Sequence, residues 1–106
     1  MTIRERLKEG LLAAMKAKNL EAVAALRTAL AAIDNAEAVE PGNQSAPIVN
    51  RSADVPRKAL SEEDIIALVR SEATDLRKAA VQYDSIGQVK RAEELRLKLK
   101  ALEPFI

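Results

Sequence analysis

The chain has 106 residues, 48% of them apolar but only 2% aromatic, and 17 basic residues stand against 16 acidic ones for a net charge of +1. It contains no cysteine and no histidine, which excludes disulfides, Cys/His zinc sites, cysteine nucleophiles and Ser-His-Asp triads. A length of 106 residues fits one domain, and a core rich in Leu, Ile, Val and Ala suits packed helices better than a sheet.

The first twenty residues lack the apolar run of a signal peptide, and charges interrupt every window long enough to span a membrane. The expected location is the cytoplasm, with no membrane contact. A near-neutral chain offers no general attraction to nucleic acid, so any such binding has to be local.

In chain order, Thr2 followed by Glu5 reads as a capping box and predicts a first helix over 2–18. Its apolar stripe is Ile3, Leu7, Leu11, Ala14 and Met15. Gly10 weakens this helix by up to about 1 kcal/mol relative to Ala and marks a close approach. Asn19 caps a second helix over 20–39 after a very short connection, which predicts an antiparallel hairpin. Val23, Leu26, Leu30 and Ile33 form a ridge of large residues, with Ala22, Ala25, Ala29, Ala32 and Ala36 beside it. A face that wide predicts a central element touching more than one neighbour. Arg27, at the border of the face, is expected to lie along the core toward a carboxylate or to grip a partner.

From 40 to 60 the periodicity stops, and Pro41, Gly42, Pro47 and Pro56 alternate with polar residues. This reads as a long loop, in which Ile48, Val49 and Val55 are candidates for docking on the bundle. Ser61 with Glu62, Glu63 and Asp64 starts a third helix over 61–84, the hydroxyl capping and the acids favouring the positive end of the dipole. Ile65, Val69, Leu76, Ala80 and Tyr83 mark its inner side. Gly87 reads as a left-handed cap residue. A fourth helix over 88–103 buries Val89, Ala92, Leu95, Leu99 and Leu102, and Pro104 ends it. The expected fold is thus all-α, two antiparallel helical hairpins joined by a long loop and forming one domain over 1–106.

Candidate chemistry is sparse. The acids at 62–64 read as a helix start, Glu93 and Glu94 as surface partners of Arg96 and Lys98 at helical spacing, and Ser61 has no base to activate it. The glycines are only Gly10, Gly42 and Gly87, so no phosphate-cradling loop exists. The sequence predicts neither a catalytic residue nor a metal or cofactor site. The basic residues give the stronger lead. Arg70, Arg77 and Lys78 on the third helix and Arg91, Arg96 and Lys100 on the fourth form a band able to contact phosphates if the two faces adjoin. A solvated surface balanced by neighbouring acids is the alternative. Leu97, Phe105 and Ile106 have no obvious place in the bundle and are candidates for contact with a partner protein or a second copy.

The stretches AAMKAKN and LRTALAAIDNAEA resemble the N-terminal hairpin of the YqeY-like family (GatB/YqeY domain). LSEEDIIALVRSEATDLRKAA and YDSIGQVKRAEELRLKLKALEPFI resemble its next two helices. The resemblance covers nearly everything outside 40–60. It implies a bacterial protein related to the tRNA-contacting tail domain of the GatB subunit of glutamine-dependent tRNA amidotransferase. It further implies a non-catalytic binding module for tRNA or a tRNA-processing enzyme, to which a carbon–nitrogen ligase activity attaches only by association. Three departures are apparent: a longer central loop, Asp34 where a Lys-Asn-Ala-Glu pattern has lysine, and an end at LEPFI where longer members continue into a second helical subdomain. A binding surface shared between both subdomains is then expected to be incomplete. The alternative function is protein interaction or self-association through the apolar surface of the second helix and the C-terminus.

Overall fold

The computed structural model describes residues 1–38 and 60–106. Among them four α-helices occur: α1 (Ile3–Ala17), α2 (Leu20–Glu37), α3 (Glu62–Ser85) and α4 (Val89–Leu102), followed by a 3-10 turn at Glu103–Phe105. They form a helical bundle without strands among the described residues, as the periodicity predicts. Helix ends fall within two residues of the expected bounds. The segment from 39 to 59, and with it the docking candidates Ile48, Val49 and Val55, lies outside the described residues.

Local side-chain caps account for the starts of α1, α2 and α3. The Thr2 hydroxyl accepts from the Glu5 amide at 3.1 Å and the Glu5 carboxylate accepts from the Thr2 amide at 2.9 Å. Ser61 and Asp64 repeat this reciprocal pair at α3, at 3.0 and 3.1 Å. Each pair satisfies amides that no helical carbonyl reaches. Asn19 caps α2 through its side-chain oxygen. The α1–α2 connection is only Lys18 and Asn19, and it closes because Lys18 takes the left-handed conformation, φ 57°. Gly87 does the same for the α3–α4 connection, at φ 81°. A left-handed residue at a helix end returns the chain on itself, and glycine adopts it without a Cβ penalty.

The core draws on every helix: Leu7 and Ala14 from α1, Ala22, Ala25, Leu26, Ala29 and Ile33 from α2, Ile65, Val69 and Ala73 from α3, and Leu102 from the end of α4. Helix α2 touches all three other helices, whereas α1 and α4 do not touch each other. The alanine ridge beside the large-residue ridge makes this possible, since small side chains let two neighbours approach one helix closely. Most of the α2 face expected to be left over is therefore covered; Leu20, in its first turn, stays exposed.

Two residues assigned to the inner stripes lie outside. Met15 is 47% exposed and Val89 53%. Met15 occupies the last turn of α1 and Val89 is the first residue of α4; periodicity assigns a residue to a face but does not say whether a neighbour extends that far along it. Phe105 is corrected in the opposite sense. Its ring packs against the core cluster and lies 3.2 Å from where a Cβ on Gly10 would stand. The absent side chain at Gly10 is the room the ring occupies, which is the close approach the glycine predicted.

Polar contacts join distant helix ends, within the first hairpin and between the hairpins, where the sequence offers no local cue. Arg4 pairs with Glu37, tying the start of α1 to the end of α2. The Ile3 amide, one of the free donors at the start of α1, donates at 2.8 Å to the Glu62 carboxylate of α3. Glu62 thus serves a second helix as well as the dipole of its own.

Candidate functional site

Arg70 and Arg77 stand two turns apart on α3, and Asp84 follows after the same interval of seven residues, so the three lie along one edge of the helix. Both arginines are exposed. Neither forms an ion pair among the described residues. Between them that edge carries Ala73 and Thr74, with no acid; Glu72 and Asp75 point to other sides. Lys78 is exposed further round the same helix.

Helix α4 packs directly on α3, and two of the candidate cations of α4 engage residues of α3. What they bring together is mixed. Arg96 reaches across and pairs with Asp84. This replaces the expected pairing of Arg96 with Glu93 or Glu94 along its own helix, because the packed neighbour offers a carboxylate directly. Arg91 lies over the ring of Tyr83, its guanidinium carbon 5.7 Å from the ring centroid. Lys100 is exposed near the end of α4. Of the six candidate cations, four are unengaged among the described residues, one is neutralised by a carboxylate, and one is stacked on an aromatic face that leaves its donors available.

The nearby acids differ in character. Burial, and then the charge of Asp75, raises the pKa of Glu72 above the usual carboxylate value. Glu5, held by the Thr2 amide and then by its hydroxyl, is lowered. Among the described residues no cluster of three or more His, Cys, Asp or Glu side chains is placed to hold a metal, and no helix is long and apolar enough to cross a membrane.

An apolar groove of about 480 Å3 runs between the first half of α2 and the last half of α4. Ala22 and Leu26 line it from α2 and Leu97, Lys100 and Ala101 from α4, with Asn19, Pro104 and Phe105 also in the lining. Of the three residues proposed to contact a partner, Leu97 is 52% exposed on this groove and Ile106 39% exposed, while Phe105 belongs mainly to the core. Sequence reasoning did not find the groove, since it is formed by two helices distant in the chain.

Comparison with models of known protein families, with curated proteins and with solved structures finds no match for this chain.

Proposed function

We propose that the chain is a non-catalytic helical binding module that associates with RNA, of the GatB/YqeY type that its sequence resembles, with tRNA or a tRNA-processing assembly as partner. The observation that carries this reading is the edge of α3 on which Arg70 and Arg77 stand two turns apart, exposed and without a carboxylate between them. Two turns of helix measure about 11 Å, a span over which two guanidinium groups can each meet a phosphate of a folded RNA strand. Lys78, Arg91 and Lys100 are further exposed cations of α3 and α4.

The net charge of +1 and the Asp84–Arg96 pair keep the field local, so the affinity is modest and falls with salt in proportion to the few phosphates contacted. A link to glutamine-dependent amidotransferase chemistry follows only through such a partner, as the chain supplies recognition and no reacting group. The test is fluorescence anisotropy with labelled tRNA at low and moderate salt, comparing the native chain with the triple variant Arg70→Ala/Arg77→Ala/Arg96→Ala. Salt-dependent binding that disappears in the variant supports the reading; absence of binding at low salt ends it.

A further inference from the structure

We infer that the outward face of α4 is a self-association surface on which a second copy of the chain docks antiparallel, about a two-fold axis at Leu97. This inference does not rest on the RNA reading, although Lys100 enters both.

Leu97 is half exposed in the middle of a helix whose opposite side, at Ala92, Leu95, Leu99 and Leu102, faces the bundle. Glu93 stands one turn before it and Lys100 one turn after it. At 100° per residue both fall on the same flank of Leu97, about 40° and 60° round the helix. Both are exposed, and neither forms an ion pair among the described residues. A two-fold axis perpendicular to an antiparallel helix pair keeps each flank against its own copy while exchanging the two directions along the helix. An acid and a base at nearly equal distances on either side of the centre, on one flank, therefore meet as Lys100 against the second copy's carboxylate at position 93, twice. This self-complementary charge pattern is why the occupant is assigned as a second copy.

The remaining neighbours allow the approach. Ala101, on the other flank, is small and lines the apolar groove next to Leu97, which leaves space for the incoming leucine. Arg96, the cation adjacent to the axis, is drawn toward α3 by Asp84 and so does not oppose its own copy. A helix of 14 residues is about 21 Å long. A pair of that length buries less than the roughly 1,600 Å2 of a standard interface, so the association is weak, with a dissociation constant on the order of 100 µM.

The test is sedimentation equilibrium without RNA, from about 10 µM to about 1 mM protein. The native chain is expected to pass from monomer to dimer over this range, and Leu97→Glu to stay monomeric. Glu93→Lys and Lys100→Glu each place like charges across the axis and are expected to weaken the dimer roughly tenfold or more. The double variant Glu93→Lys/Lys100→Glu recreates the pair with its signs exchanged and is expected to return to within about threefold of the native value. All three positions face solvent, and thermal melting followed by circular dichroism verifies that each variant folds. A native chain that remains monomeric at the highest concentration overturns the inference, as does a dimer indifferent to the charge reversals.

Discussion

Arg6 and Phe105 hold the two ends of the chain together. The Arg6 guanidinium carbon lies 5.3 Å from the centroid of the Phe105 ring, and the same side chain donates to the Pro104 carbonyl at 3.2 Å. The ring lies against Gly10 of α1, which also adjoins Leu26 of α2. Phe105→Ala is expected to cost about 2 kcal/mol, less than for a fully buried phenylalanine, measured by urea denaturation.

Gly10→Ala tests the same contact from the other side. In an open helix the change would add up to about 1 kcal/mol of stability. Here the new methyl would stand 3.2 Å from a ring that Arg6 holds in place, so the substitution is expected to be destabilising in the native chain. In the Phe105→Ala background the ring is gone, and the same substitution is expected to stabilise. A double-mutant cycle of denaturation midpoints reads the reversal of sign directly; the same sign in both backgrounds would refute the contact.

For RNA binding, the geometry ranks the arginines. Arg77→Ala is expected to weaken tRNA binding more than Arg96→Ala, because Arg96 is already neutralised by Asp84. Asp84→Asn releases that guanidinium and is expected to strengthen binding and steepen its salt dependence by nearly one unit of slope. Anisotropy titrations at three salt concentrations measure both quantities. Equal losses for Arg77→Ala and Arg96→Ala would contradict the ranking.

The two perturbed carboxyls make opposite contributions to acid stability. Glu5 is lowered in the folded chain, so its contribution is present above the ordinary carboxylate pKa and is lost as pH falls through the folded value. Glu72 is raised by burial and by Asp75; its ionised form is disfavoured by folding, and the resulting cost disappears as the group takes up a proton. Thermal melts between about pH 7 and about pH 3 are expected to show a flatter acid limb for Glu5→Gln. Glu72→Gln is expected to melt slightly higher than the native chain at neutral pH, by a change within about 0.5 kcal/mol, and to converge with it at the acid end.

Gly87 sits at φ 81° with open space where a Cβ would be. Gly87→Ala is therefore a test of backbone conformation alone, with an expected loss of about 1 to 2 kcal/mol in chemical denaturation. Lys18, at φ 57°, already bears the same conformation with a side chain, and Lys18→Gly is expected to be neutral or stabilising.

What could be read from the sequence is what neighbours in sequence decide. Thr2 with Glu5, Asn19, Ser61 with Asp64, and Gly87 act within one turn, and all take the roles their chemistry predicts. The α2 ridges foretell its central position because the width of an apolar face counts the neighbours it needs. Partnerships between distant segments were not legible. Nothing in the residues around Arg96 points to Asp84 rather than Glu93, and nothing near Pro104 places Phe105 over Gly10. The candidate site shares this division: the arginines and their spacing are visible in the sequence, while their state of engagement depends on how α3 and α4 pack.

The hydrogen bond from the Ile3 amide to Glu62 means that the first hairpin borrows part of its helix start from the second. Residues 1–38 alone would fray at Ile3 and lose the packing of α3 and α4 on the hairpin, whereas residues 60–106 alone would keep an intact capping box but lack α2 as a floor. Two fragments, cut between the hairpins and mixed, should recover helicity that neither has in isolation. The bundle is in this sense a self-recognising pair, in which covalent continuity serves mainly to raise the local concentration of one half around the other.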